Sequence, residues 1–262
     1  MALGCAAQSR IPAAPTLDQL TPTQGLAFLG DFRRARLDHD LCLRVEIIHQ
    51  PRRGDARAPI QGTLWAATVG EDQLLRGEIL DAQGRPALAF ITVKSPRGAR
   101  VWISRGGAPA VELTEANPFI ALADGLLLSP FDLQLPFTHW PATAYLATER
   151  RRRPAHTFDA LNLIGREPAK VNFAVDHVYG VLVEAICYDT RGARTRTIQV
   201  EEFSKVGAQW ILAACRVRDE TTRDNDLMRV TAAAIDCDFP RETFEPATLS
   251  RAAPPPAHFQ AL

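Results

Sequence analysis

Residues 180–203 have the sequence GVLVEAICYDTRGARTRTIQVEEF, and this stretch decides the fold. Two apolar, β-branched runs flank Arg191-Gly192, where glycine permits a tight hairpin turn. Two more runs of this kind follow after short polar turns, at residues 210–218 and 227–236. Because each run leads directly into the next, the sequence predicts an antiparallel meander.

The same alternation occurs upstream of this meander. In residues 41–47 every second residue, from Leu41 to Ile47, is apolar, as expected for a strand with one buried face. Breaks rich in Gly, Pro and Asp then separate further segments at a spacing of about ten residues, which is typical of consecutive hairpins. The other predicted strands are residues 62–69, 73–80, 87–93, 99–104, 110–113, 144–149, 157–164 and 169–175.

Helical signals are few. Thr21-Pro22-Thr23-Gln24 combines an N-cap, a proline for the first turn and the glutamine of a capping box, which predicts a helix ending near Arg36. Asn117-Pro118, with Gly125 as its end, and Ser129-Pro130-Phe131-Asp132 predict two short helices inserted among the strands. So few helices exclude βαβ units, and we expect a mainly β fold, a strongly curved antiparallel sheet with helices on its concave face.

The composition is that of a globular protein, with 46% hydrophobic and 23% charged residues in 262. Lys plus Arg and Asp plus Glu each number 30, and this zero net charge argues against a general nucleic-acid binder. No apolar run approaches the roughly 18 residues needed to cross a bilayer. We expect a flexible tether over residues 1–16, one domain over residues 17–240 and a Pro-rich disordered tail over residues 241–262.

The five cysteines fall into two groups. Met1-Ala2-Leu3-Gly4-Cys5 resembles the end of a bacterial lipoprotein signal peptide, in which Cys5 is the lipidated residue; an ordinary disordered N-terminus is the alternative. The other four lack CxxC spacing and fit buried thiols better than two disulfides. They are Cys42, Cys187, Cys215 and Cys237.

No catalytic or metal-binding motif is recognisable. The sequence has no GxSxG, HExxH, GxxxxGK or GxGxxG, and none of its six histidines has a second histidine three or four residues away. Asp176-His177 fits a turn better than an acid–base couple, and Asp236 with Asp238 fits a solvated strand end better than a cation site. The run Arg150–Arg153 fits a hairpin tip better than a lipid-phosphate site. We therefore expect no enzyme, no cofactor and no metal.

Residues 129–137, SPFDLQLPF, together with Trp140-Pro141, resemble the bacterial outer-membrane lipoprotein-sorting protein family, which shares the fold of the carriers LolA and LolB. A second similar stretch extends from Val178-Tyr179-Gly180 to Trp210. The resemblance spans about residues 20–237, and its motifs are structural rather than catalytic. It implies an unclosed half-barrel covered by a helical lid, with an apolar cavity that holds acyl chains.

This resemblance implies a set of site residues. The lid is the first helix with the inserted helical pair, and Trp65 and Trp102 either line the cavity or fill a core. Arg44 is only a gating candidate, because residues 62–65 do not reproduce the family's early arginine-containing strand pattern. The predicted cavity and lid contacts are Phe28, Phe32, Phe119, Ile120, Leu126, Leu127, Phe131 and Phe137.

We accordingly expect a lipid- or lipoprotein-binding protein of the bacterial cell envelope. It is expected in the periplasm or anchored by lipid to the outer membrane, with the acyl chains of lipoproteins or phospholipid as partners and an envelope protein as a further partner. A non-catalytic scaffold protein with a filled cavity is the main alternative. A hydrolase with an unrecognised site is the second alternative.

Overall fold

A computed structural model describes residues 17–35, 37, 39–81, 83–96, 98–113, 118–165, 167–207 and 209–262. Cys5 and the predicted tether, Asn117 and Arg36 lie outside the described residues. The strands of the described part are β1 (Asp40–Gln50), β2 (Ile60–Val69), β3 (Asp72–Leu80), β4 (Pro86–Ser95), β5 (Gly98–Arg105), β6 (Val111–Glu112), β7 (Ala142–Arg151), β8 (Arg153–Leu161), β9 (Lys170–Asp176), β10 (Leu182–Tyr188), β11 (Arg194–Val206), β12 (Gln209–Asp219), β13 (Asn225–Cys237) and β14 (Gln260–Ala261).

These strands form one antiparallel sheet. Its order is β6-β5-β4-β3-β2-β1-β13-β12-β11-β10-β9-β8-β7, with β14 added to β13. Consecutive strands of the chain pair with each other except β6 and β7, and β1 pairs with β13 to connect the two halves of the chain. The sheet is unclosed, with β6 and β7 at its edges, which confirms the predicted half-barrel of antiparallel strands.

Helices are few, as predicted, but one of the predicted helices does not form within the described residues. Helix α1 (Pro22–Arg34) has the expected capping box on Thr21. Among the inserted residues, helix α2 (Pro130–Gln134) begins at the predicted proline and is followed by a 3-10 helix (Pro136–His139). The helix predicted to end at Gly125 is wrong within the described residues, because residues 118–129 form turns instead.

Tertiary hydrogen bonds explain that difference. The amide of Leu122 bonds to the carbonyl of Leu128, and the amides of Leu127 and Leu128 bond to the side chain of Asp226. A helix of two turns has a costly nucleus and little propagation, so such external partners decide its conformation. We call residues 118–141 the insert.

The main core lies between the concave face of the sheet and the insert. On β1, Leu43, Val45 and Ile47 belong to it, while Cys42 faces a smaller cluster on the outer face. The core extends without interruption into the insert, where Phe137 is fully buried. The sheet and the insert therefore share a single hydrophobic core.

Helix α1 packs closely on the edge strand β7. A Cβ atom on Gly25 would lie 2.2 Å from the ring of Tyr145, so the helix needs glycine there. The side-chain amide of Gln19 accepts a hydrogen bond from the backbone N–H of Thr148 and donates one to its carbonyl, as a neighbouring strand would. The ring of Phe28 meets that of His156 edge-on, with centroids 4.5 Å apart.

The C-terminal residues 238–262, most of which were predicted to be disordered, lie along the outer face of the sheet. Arg76 is 1% exposed and donates to the carbonyls of Thr243, Thr248 and Arg251 while it pairs with Glu78. Within this segment, the side chains of Phe244, Leu249 and Ala253 are buried. The prolines of this segment favoured a prediction of disorder. The backbone carbonyls that accept hydrogen bonds from Arg76 cannot be recognised from a pattern of side chains.

Several smaller predictions concern single turns and the cysteines. The run Arg150–Arg153 is a tight hairpin with the backbone of Arg152 in the left-handed region. Asp176 caps the turn that follows β9, because its side chain accepts hydrogen bonds from the amides of Val178 and Tyr179.

The four described cysteines are free thiols, and burial raises the pKa of Cys42 and Cys215 to about 12. In the described part of the chain there is no cluster of three metal-ligating side chains and no helix long and apolar enough to span a membrane.

Replacing Arg76 by Ala should detach the C-terminal segment. The substitution leaves Glu78 and several backbone carbonyls without their partner, a loss that typically costs about 3–5 kcal/mol for a buried pair. Urea unfolding measures the loss of stability, and limited proteolysis should cut the variant first within residues 240–262. Arg85→Ala, which removes an exposed ion pair with Asp81, should cost less than about 1 kcal/mol; equal effects would contradict the assignment.

Lowering the pH should loosen α1. Burial, and to a lesser extent the nearby His177, lower the pKa of His156, so the unfolded chain binds a proton more readily than the folded one. Stability should be complete above about pH 6.5, the ordinary pKa of histidine, and should fall as the pH drops below it. Thermal unfolding between about pH 5 and pH 7.5 tests this, and His156→Gln should flatten the profile whereas His258→Gln should not.

Candidate lid and lipid-binding site

The insert bridges the two open edges of the sheet. Its 3-10 helix contacts both β5 and β8, and α2 contacts β4. Gln134 donates to the carbonyls of Val93 and Arg100, at 3.0 and 3.2 Å. On the other side, Arg33 of α1 donates to the carbonyls of Thr138 and Trp140. The insert and α1 therefore act together as a cover for the gap in the half-barrel.

A buried ion pair fastens the insert to β11. Arg196 meets Asp132 with two nearly parallel hydrogen bonds, Nε to Oδ1 at 2.7 Å and Nη2 to Oδ2 at 2.6 Å. The same guanidinium donates to the carbonyl of Leu127 and lies over the ring of Phe119, 4.6 Å from its centroid. Although burial opposes the charge, Asp132 outweighs that effect and the pKa of Arg196 is raised.

A second buried carboxylate lies beside this pair. Asp226 on β13 is fully buried and accepts the amides of Leu127 and Leu128 at 2.6 and 2.7 Å through one oxygen. Its other oxygen is 2.7 Å from Nδ1 of His49 on β1. We call Arg196, Asp132, Asp226 and His49 the lid latch, because together they hold residues 127–132 against three strands.

Two open spaces flank the insert. The first, the lid groove, has a volume of about 550 Å³ and lies between the insert and the β4–β5 and β8–β9 turns. Phe131, Trp140, Val101 and Ile164 contribute to its mostly apolar walls. On the β8–β9 turn, Leu163 and Ile164 are each more than two-thirds exposed at the groove's rim. With about 550 Å³ the groove is larger than two other mostly apolar openings, of about 230 and 320 Å³.

The second space, the lid cavity, has a volume of about 320 Å³ and lies between the end of α1, α2 and strands β2 to β4. Leu37, Leu75 and Leu133 form apolar walls, and Gln73 and Lys94 add polar groups. Gln134 borders both spaces and separates them. The insert therefore has the lid groove on one side and the lid cavity on the other, and both border the concave face of the sheet that it covers.

The predicted site residues divide among different surroundings. Leu126, Phe131 and Phe137 are buried in the main core, and Phe28, Phe32, Phe119 and Leu127 pack against it. Ile120 is partly buried in the insert. Of these eight residues, Phe131 alone also lines the lid groove.

The remaining predicted residues lie away from the lid. Trp65 is buried in the outer-face cluster beneath the C-terminal segment. Trp102 is partly exposed under the guanidinium of Arg100, and Arg44 is an exposed residue of β1 stacked on Phe259. The structure thus places the gating candidate on the outer face and puts a different arginine, Arg196, against the lid.

Sequence reasoning missed the lid latch, although a signal existed. Arg196 alternates in phase with the buried Ile198, and Asp226 alternates in phase with the buried Met228 and Val230. A charged residue within the inward-facing stripe of a strand needs a buried partner. The sequence pattern indicates Asp132 only as a capping residue of α2.

Comparison with known proteins shows a shared architecture. No family profile matches this sequence, and no curated protein matches it either. A domain named as a candidate outer membrane lipoprotein-sorting protein from Vibrio parahaemolyticus superposes with a TM-score of 0.75 at 13% identity, covering 87% of this chain and 99% of that one. A LolA superfamily protein from Nitrosomonas europaea gives 0.58 at 13% identity, covering 86% and 98%. The chain has the LolA-like fold.

A third structure extends this result. A DUF1329 family protein from Desulfovibrio piger superposes with a TM-score of 0.71 at 12% identity, covering 87% of this chain and 98% of that chain. At such identities the likeness concerns the fold alone. It confirms the LolA-like fold that residues 129–141 and 178–210 indicated.

Removing the charge of Arg196 should free the insert. In Arg196→Met, Asp132 keeps a buried charge without its partner, which should destabilise the protein by about 3–5 kcal/mol and speed hydrogen exchange in residues 119–132. Adding Asp132→Leu should recover much of the stability, because the unpaired charge is gone. Urea unfolding and hydrogen-exchange mass spectrometry measure both effects, and unchanged exchange in the insert would refute its attachment by this pair.

Arg218→Met is the matched control for this prediction. Arg218 pairs with Glu220 at 3.4 Å on the outer face of the sheet, where its side chain is 43% exposed. Loss of such a pair should cost less than about 1 kcal/mol and leave exchange in the insert unchanged.

Proposed function

We propose that this protein binds acyl chains in the bacterial cell envelope and serves in the sorting of lipoproteins to the outer membrane. The cargo enters beneath the insert after the lid latch opens, and no covalent step takes part. The lid groove carries this proposal, because it is an apolar opening next to a cover whose position is set by a few polar contacts.

The dimensions of the groove support a lipid ligand. Its volume of about 550 Å³ lies within the range of roughly 300–1,000 Å³ that is common for small-molecule sites. Phe131 belongs to both the groove wall and the main core, so movement of α2 would extend the groove into the core. Each CH₂ group buried there would contribute about 0.8 kcal/mol.

The construction of the insert supports its role as a lid. Its helices are short, at five and four residues, and the amides of Leu127 and Leu128 bond to the lid latch rather than within the insert. Segments with few local hydrogen bonds open at low free energy. Opening therefore requires the latch to break but leaves the sheet intact.

A cell-envelope location belongs to the same proposal. A neighbour in fold carries outer membrane lipoprotein sorting in its name, and Cys5 follows Gly4 as the lipidated cysteine of a lipoprotein would. We propose the periplasm or the periplasmic face of the outer membrane, with an envelope protein as the partner that delivers or accepts cargo.

A filled scaffold is the second candidate, and one observation favours it. Phe137, Phe158 and Phe173 are almost completely buried in the interior. The ring of Phe173 lies between the other two, with its centroid 5.5 Å from that of Phe137 and 5.2 Å from that of Phe158. In this closed conformation the centre of the half-barrel holds side chains. A protein that never opens would use the same surface only to contact other envelope proteins.

Native mass spectrometry of the protein, purified gently from its own envelope, separates these candidates. A carrier should retain extra mass equal to a phospholipid or an acylated peptide, and detergent should remove it. Ala99→Trp, which fills the lid groove, should reduce this lipid fraction several-fold, while Ala56→Trp, in the exposed β1–β2 loop, should retain it. An apoprotein mass that also resists loading with lipid would reject the carrier and leave the scaffold.

A further inference from the structure

The lid cavity contains one charged side chain among the described residues that line it, that of Lys94. Alternation along β4 points Phe90, Thr92 and Lys94 to the concave face, where Phe90 joins the main core. Lys94 therefore continues a buried stripe rather than the solvated face of the strand.

The surroundings of Lys94 offer its ammonium group no counter-charge. Lys94 has no ion pair or side-chain hydrogen bond in the described structure, and burial lowers its pKa to about 8. None of the other described residues that line the cavity is titratable. They are Ala35, Leu37, Ala66, Ala67, Thr68, Gln73, Leu74, Leu75, Thr92, Leu133 and Gln134.

Such an arrangement is costly without a ligand. Lys94 is half-buried, and a cation half-buried among apolar side chains loses part of its hydration, which an approaching anion would offset. Lysine at the end of a strand often extends its amine to water, but an ordinary solvated lysine keeps its usual pKa. A strongly shifted group in a cleft is a marker of a functional site when the geometry also supports one.

We propose that Lys94 binds the anionic group of an amphipathic ligand whose hydrocarbon chain lies against the apolar walls around the insert. The inference rests on the proposed binding of acyl chains and adds the chemistry of the head group, a carboxylate or a phosphate. A free fatty acid supplies the first and a phospholipid the second. Leu37, Leu75 and Leu133 are placed to receive the first methylene groups of the chain.

This assignment bears on the cargo. The acylated cysteine of a mature lipoprotein carries its chains on ester and amide groups, which offer Lys94 no anion. An ammonium group with no counter-charge among the described residues beside an acyl site instead indicates that a fatty acid or a phospholipid is a further ligand of this site, next to lipoprotein acyl chains. The chain would then use the LolA-like fold for an anionic lipid.

Calorimetric titration of the full chain with three ligands of equal chain length tests the assignment. Decanoate and decyl phosphate present the two anions, and 1-decanol presents a neutral head. We expect both anions to bind about tenfold more tightly than the alcohol, as one charge-assisted hydrogen bond provides. Lys94→Gln should abolish this difference without changing the affinity for decanol, while Lys205→Gln, an exposed lysine on β11, should preserve it.

The pH gives a second measurement. Between about pH 7 and pH 9.5 decanoate stays ionised while Lys94 loses its proton, so the affinity for decanoate should decline towards that for decanol. Decanol binding should stay constant, because no other described group that lines the cavity is titratable. A flat profile for decanoate would overturn the role of Lys94.

The outcomes also separate this inference from the proposed function. If decanol and the two anions bind equally, acyl binding stands and the role of Lys94 is rejected. If no decyl compound binds, both are rejected. A preference for decanoate over decyl phosphate identifies a fatty acid as the source of the anion, and the reverse identifies a phospholipid head group.

Discussion

An open, strongly curved sheet must cover two edges and one apolar face, and the rest of this structure follows from that requirement. Strand β7 is covered by α1 and by the side-chain amide of Gln19, which occupies the hydrogen-bonding positions of a further strand. At the other edge, β6 has only two residues, and Arg100 joins it to β5 through a double hydrogen bond with Glu112. The insert covers the concave face between these edges.

The lid latch sets the position of the cover. Most of the contact between the insert and the sheet is apolar, but Arg196, Asp132 and Asp226 set its position through buried charges. A buried ion pair contributes little net stability compared with well-packed apolar residues, yet breaking it is costly. It therefore favours one closed arrangement over many loosely packed ones, which is what a lid with two states requires.

The sequence predicted the sheet well because strand alternation is a local signal. Each predicted strand in residues 180–236 is a strand in the structure, and the turn residues lie where glycine or Asp-Asn pairs occur. The predicted helix before Gly125 failed because the amide of Leu122 bonds to the carbonyl of Leu128. The amide of Leu128 is in turn held by Asp226, about a hundred positions later in the chain. The docking of the C-terminal segment on Arg76 depends on backbone carbonyls, which no side-chain pattern records.

The candidate site was harder to predict for the same reason. Phe131 and the capping residues of α2 belong to a local motif and were found, whereas Arg196 and Lys94 matter only through what surrounds them. Both are charges in phase with apolar neighbours on their strands, at Ile198 and Phe90. Arg196 has a counter-ion in Asp132, whereas Lys94 has none among the residues that the structure describes, and this difference is visible only in three dimensions.

A filled interior is compatible with a carrier function if burial of the acyl chain releases more free energy than opening the lid requires. Opening the lid must separate the charges of the latch and expose part of the core. A chain of about ten methylene groups gains about 8 kcal/mol on burial. Because a ligand shifts an equilibrium only by its differential affinity for the open state, long chains would open the lid and short ones would not. The latch would then set a minimum chain length for the cargo, and the closed core would protect the protein between cargoes.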